Sequence, residues 1–166
     1  ALSVFGAAPA HAQRGGIQVA PVLITLNEDR TIGSVRIHNG RDQPVAFEID
    51  AFAWSQDNGA DTLIPTSALI VAPGVFEIPP GGDQVIRIGA RDVSGATESS
   101  FRILMRELPR PRSEGATIGF ALEMSLPVFV SPHSARAQLI ARTEWRQGAP
   151  LLVLTNTGEG YAQIGV

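Results

Sequence analysis

The chain has no cysteine among its 166 residues, so it forms no disulfide, offers no thiolate nucleophile and cannot hold zinc through sulfur. It has no lysine either; all 13 basic residues are arginines, which excludes a lysine Schiff base and a lysine-completed phosphate loop. Aromatic residues make up 6% and the formal net charge is -3, which gives no electrostatic basis for binding nucleic acid or an anionic membrane surface. Histidine is scarce. His11, His38 and His133 stand alone, without a second histidine or a cysteine at metal-ligand spacing. There is no G-x-S-x-G elbow, Ser99-Ser100 has no base nearby, and Gly81-Gly82 follows prolines in a turn rather than opening a helix. Asp57, Asn58 and Asp61 form an oxygen-rich cluster, but it lacks the spacing of a calcium loop and reads as a hairpin turn. No enzyme activity, metal or cofactor is expected.

What is present is a succession of short apolar runs separated by turn residues, the rhythm of an all-β sandwich. Strands are expected near 17–26, 31–38, 44–55, 68–72, 75–78, 83–89, 100–107 and 117–130. Asn39-Gly40, Asn58-Gly59, Pro73-Gly74 and Pro79-Pro80-Gly81-Gly82 supply turn chemistry between them. Phe47, Ile49, Phe52 and Trp54 read as the apolar positions of one core strand. Together these strands match an immunoglobulin-like domain in size.

Both ends differ from this middle. Residues 1–12 are small and apolar and close on Ala10-His11-Ala12, the form of a signal-peptidase site, so they read as the remnant of an export signal and imply the periplasm. The run is too short to span a bilayer, and no membrane insertion is expected. Near the other end, Pro132 cannot donate to a strand ladder, which marks Ser131 to Ser134 as a hinge. Residues 13–131 then form the first domain. Residues 132–166 contain three further strand-like segments, too few to close a sandwich, and are expected to be part of an incomplete second β domain.

The stretch from Ile118 to Val130 carries the functional argument. Ile118, Phe120, Leu122, Met124 and Leu126 recur at period two, with Gly119, Ala121, Glu123 and Ser125 on the opposite face. Such a row either packs on the chain's own second sheet or is offered to the unfinished core of another protein by strand addition. The preceding ELPRPRSEGAT is rich in proline, arginine and glycine and reads as a loop.

Five segments in order resemble the periplasmic pilus-assembly chaperones of the chaperone/usher pathway, the PapD-like family. They are R-x-x-x-S-V-x-I-x-N at Arg30 to Asn39, Ala53-Trp54, Ile70 to Ile88, Phe101 to Pro109, and LPVFVSP at Leu126 to Pro132. The resemblance implies two immunoglobulin-like domains set at an angle and pilus or fimbrial subunits as partners, delivered to an outer-membrane usher. It implies donor-strand complementation, with Ile118, Phe120, Leu122, Met124 and Leu126 as the donated row. The family's best-studied members grip the subunit's C-terminal carboxylate with an arginine and a lysine; Leu23 and Pro127 stand at those places here. Ser131 likewise replaces an arginine of an interdomain ion-pair network. These departures point to a divergent or archaic branch. Arg102 and Arg106 are the candidates to substitute for the carboxylate anchor; the alternatives are plain surface arginines or a pair between Arg106 and its neighbour Glu107. The other reading is a structural or adhesive immunoglobulin-like module that keeps its row packed at home.

Overall fold

The computed structural model describes residues 15–109 and 121–164. Ile118 and Phe120, the export signal expected at 1–12 and residues 110–117 of the expected loop lie outside the described residues. Twelve strands follow one another: β1 (Ile17–Ala20), β2 (Ile24–Leu26), β3 (Ile32–Asn39), β4 (Val45–Asp57), β5 (Ala60–Pro65), β6 (Leu69–Ala72), β7 (Val75–Ile78), β8 (Asp83–Ala90), β9 (Ser99–Glu107), β10 (Glu123–Val130), β11 (Leu139–Arg146) and β12 (Ala149–Asn156). One sheet has the order β1-β3-β8-β6; the other has the order β2-β10-β9-β4-β5, with β7 also paired to β4. The chain is an immunoglobulin-like β-sandwich.

Alternation explains which residues fill the space between the sheets. Val35 and Ile37 of β3, Ile86 and Ile88 of β8, Ile103 and Met105 of β9, and Phe47 of β4 are all fully buried and belong to one cluster. Their intervening neighbours Ser34, Arg36, Arg87 and Arg102 face away from it. The expectation that Phe52 and Trp54 share a face with Phe47 and Ile49 is corrected by the same rule. An odd and an even position of one strand point to opposite sides, so Ala51 and Ala53 pack on the core while Phe52 and Trp54 lie outside it.

Three other expectations change. The run at 17–26 is two strands, because Pro21 has no N–H to donate and the chain there passes from one sheet to the other: β1 pairs with β3, β2 with β10. β5 was not expected at all. It is exposed along its length, so no apolar alternation marks it, and it exists because Asn58 and Gly59 turn β4 back on itself with φ of 50° and 81°. At the C-terminal end two of the three expected segments pair, as the β11–β12 hairpin, while Tyr161 to Ile164 is not a strand. Trp145 is 74% exposed on that hairpin, and Leu139, Ile140 and Leu152 are exposed with it.

One buried polar side chain organises an end of the sandwich. Asn39 is completely buried; its amide donates to the carbonyls of Gln43, Ile78 and Pro79 at 2.8, 3.0 and 3.2 Å, and its Oδ1 accepts the Arg41 N–H at 3.0 Å. With its donors and acceptor paired, the asparagine is tolerated in the core and fixes the loop that carries Arg41.

Candidate functional site: the open edge of β10

β10 is paired along its whole length on one side and only in part on the other. Glu123 to Val130 run antiparallel to Arg106 to Ser99 of β9, whereas β2 covers only Val128 to Val130. From Glu123 to Pro127 the second edge has no neighbouring strand among the described residues. In an antiparallel ladder successive residues point their N–H and C=O alternately to the two sides. Since the Leu122 carbonyl accepts from the Glu107 N–H at 2.8 Å, Met124 and Leu126 also address β9, and Glu123 and Ser125 present their backbone groups to the open side. Pro127 falls on that outward set too, where its missing N–H interrupts any further outward pairing.

The side chains of the expected row are placed unevenly. Leu126 is 5% exposed and sits in the chain's own core, alongside Val128 and Val130. It shares its face with the other positions of the row, but the opposing sheet already covers it at this depth. Met124 is half-buried and packs against the same core, and Leu122 is half-buried just before the strand.

The outer face of the same sheet carries the two arginines. Reading across the ladder, Phe52 of β4, Arg102 of β9 and Pro127 of β10 form one row, and extending the parallel register by a residue sets Leu23 beside Pro127. Arg102 is the single cation of that row. Its guanidinium carbon lies 4.0 Å from the centroid of the Trp54 ring, and it makes no ion pair among the described residues. Arg106 is instead bonded to Asp50. The expected alternative of an Arg106 to Glu107 pair is replaced by separate partners: Glu107 takes Arg41, with 2.6 Å between Nη1 and Oε1.

An aromatic stack continues from Trp54, and little in the sequence announced it. Trp54 meets Phe129 at 6.2 Å between centroids, and Phe129 stacks on Tyr161 at 4.3 Å with the rings 5° apart. Phe129 is thus buried on the outer side of the sheet by a residue from beyond the hinge. The Trp54 Nε1 is buried and reaches no partner in hydrogen-bonding geometry among the described residues. The Gln56 amide first, then the nearby indole N–H and the charge of Arg102, hold the Asp61 carboxyl below the usual aspartate range. We take the indole's effect as that of a neighbouring dipole rather than a formed bond.

The segment expected as a hinge, Ser131 to Ser134, is held by contacts on both sides of it in the sequence. Ser131 donates its hydroxyl to Glu98, whose other carboxylate oxygen accepts the Tyr161 N–H at 3.0 Å; the Glu98 N–H donates to the Glu159 carbonyl. On the opposite flank His133 stands 3.0 Å from Asp29 and donates its backbone N–H to Glu28. Glu28's own backbone N–H and that of His133 lower the Glu28 carboxyl below its ordinary value. His38, at the far end of β3, lies 3.3 Å from Asp83.

The architecture is that of an immunoglobulin-like sandwich with a half-open edge strand. Residues 16–136 match the model of the pili and flagellar-assembly chaperones, PapD N-terminal domain. The chain belongs to that family, a family of chaperones rather than of enzymes. Among solved structures it is similar to a chain of the CsuC–CsuE chaperone–tip adhesion subunit pre-assembly complex from archaic Csu pili of Acinetobacter baumannii, with 20% identity, TM-score 0.66, and coverage of 87% of this chain and 73% of that one. It is similar also to the class 5 fimbriae chaperone CfaA, with 13% identity, TM-score 0.65, and coverage of 87% and 68%. The Pseudomonas aeruginosa chaperone CupB2 follows with 15% identity, TM-score 0.55 and coverage of 88% of each chain. No curated protein matches the chain. At these identities the likenesses speak for the fold.

Proposed function

We propose that this chain is a periplasmic chaperone that captures pilus or fimbrial subunits by donor-strand complementation and delivers them to an outer-membrane usher. The observation that carries the reading is the edge of β10, open from Glu123 to Pro127 while the rest of the strand is paired on both sides. An incoming strand would take its ladder bonds from Glu123 and Ser125, and an unfinished subunit core would receive Ile118, Phe120, Leu122 and the exposed part of Met124. Leu126 is left out of that row because it already serves the chain's own core. No nucleotide is needed, since the subunit's own burial of apolar surface drives capture.

For the subunit's C-terminal carboxylate we propose Arg102 as the anchor. Leu23 and Pro127, which flank its row, cannot neutralise an anion, and Arg106 is engaged by Asp50. A guanidinium packed over an indole, with no ion-pair partner among the described residues, is available to a carboxylate.

The partial burial of Met124 favours a second reading, a self-contained adhesive or structural module. The two separate in one experiment. With both Phe120 and Leu122 changed to serine, co-purification of a pilin subunit that lacks its own N-terminal strand should be lost and the melting temperature should stay within a few degrees of the wild type. Unfolding of the double variant would assign the row to the chain's own core and select the module.

A further inference from the structure

The N-terminal end of β10 is held by a side chain as well as by the ladder. Glu107, the last residue of β9, faces Leu122 across the sheet; its N–H donates to the Leu122 carbonyl at 2.8 Å, and its carboxylate Oε2 accepts the Leu122 N–H at 3.3 Å. The other carboxylate oxygen, Oε1, receives Arg41 Nη1 at 2.6 Å, a charge-assisted contact. The Glu107 side chain is only 13% exposed and that of Arg41 31%, so the pair is poorly screened and removal of either charge leaves the other stranded. Arg41 is in turn fixed by the buried Asn39, which accepts its backbone N–H. The Leu108 N–H donates to the Ala46 carbonyl, which secures the chain immediately after Glu107. A continuous line of contacts therefore runs from the sandwich core to the first residue of the open edge.

We propose that Glu107 and Arg41 are positioning residues for strand donation: they set the register and face of Leu122 before a partner arrives. This rests on the capture reading above. A shift of one residue in a strand exchanges its two faces, so the start of β10 must be pinned if Leu122 is to stay on the face it shares with Met124 and the core-facing Leu126. β9 pairs with β10 from Glu123 onward, but β2 covers nothing before Val128, so the start of the strand is held from one side. The carboxylate gives the Leu122 N–H a directional partner just before that pairing begins. Pinning ahead of time also reduces the conformational entropy that a partner has to overcome on binding. With Ala121 and Leu122 released, capture should weaken about ten- to a hundredfold, the cost of ordering one or two residues.

The test uses the whole chain and two readouts. Amide exchange by NMR, corrected for intrinsic rates, is followed at Leu122 and Glu123 in wild type, Arg41→Ala, Arg41→Lys and Glu107→Gln. Capture is measured with a pilin subunit deleted of its N-terminal strand as the probe. The expected result is exchange at least about tenfold faster at Leu122 in Arg41→Ala, at unchanged protection in β3 and β8, with capture weakened in parallel. Arg41→Lys, which keeps the charge, should recover most of both, and Glu107→Gln, which keeps an acceptor without the charge, should fall between. Unchanged exchange at Leu122 in both Arg41→Ala and Glu107→Gln would overturn the proposal, as would faster exchange with capture unaltered. If Arg41→Ala loses protection throughout, Arg41→Lys and Glu107→Gln decide by the same two criteria. If exchange responds as expected but the wild type captures no subunit, the capture reading fails and the positioning role falls with it, while the Glu107 contact stands as architecture.

Discussion

Replacing Arg102 by alanine should separate subunit anchoring from the chain's own stability. Within the chain, Arg102 contributes its contact with Trp54; at a partly exposed site such a contact is worth about 1 kcal/mol, which lowers the melting temperature by a few degrees. Toward a subunit, the guanidinium would make charge-assisted hydrogen bonds to a terminal carboxylate worth about 1.5 to 3 kcal/mol, or roughly ten- to 150-fold in affinity. Arg106→Ala breaks only its pair with Asp50, in which both side chains are more than a third exposed, and should change stability and capture by under about 1 kcal/mol. Arg102→Lys keeps a charge but loses the planar fork, so it should fall between wild type and alanine. Calorimetric titration of a subunit with a free C-terminus, repeated with the C-terminal amide, reads the difference directly. The Arg102→Ala loss should be large for the free acid and small for the amide. Equal losses for both ligands, or a larger loss for Arg106→Ala, would refute the argument from the row of Leu23, Pro127 and Arg102.

Two further outcomes follow from the placement of single residues. Leu126→Ala removes a fully packed core side chain and should cost about 2 to 5 kcal/mol by urea unfolding, whereas Leu122→Ser should cost about 1 kcal/mol or less; similar losses for both would mean that the two positions are not distinguished as their burial indicates. Glu28 has a lowered carboxyl in the folded chain, so its contribution is present above 4.5, the value of an unperturbed glutamate, and is lost as the pH falls through the lowered value. The Glu28 carboxyl carbon resonance should accordingly titrate with its midpoint below 4.5; a midpoint at or above 4.5 would contradict its contact with the His133 N–H.

The strands that were legible in the sequence are those with one face on the core: β3, β8 and β9 alternate because water lies on one side and the opposing sheet on the other. β5 was not legible, for a hairpin arm exposed on both faces carries no such imprint, and its only signal was the Asn58-Gly59 turn. The division of β1 from β2 depends on which sheet each half joins, and Pro21 marks the break without telling where the chain goes next. At the site, the apolar period of β10 was visible while its half-open pairing was not, because pairing is a property of β2 as much as of β10. Glu107 reaches Arg41 across 66 positions and Tyr161 reaches Phe129 from beyond the hinge; such contacts join residues whose local sequence gives no reason to associate them. Phe52 and Trp54 are apolar yet lie on the outer face, because parity along the strand, and not apolar character, decides which side a residue takes.

Pro127 makes the open edge directional. On the capture reading, a guest strand entering from the Leu122 end would pair with Glu123 and Ser125 but meet no donor at Pro127, and immediately beyond it β2 already occupies the edge. The edge therefore has a wall at one end and none at the other. Guests whose strands differ in length would all be aligned at the wall and overhang at the opposite end, so that tolerance for different partners would be concentrated before Glu123, and mistakes in alignment would be rejected at Pro127.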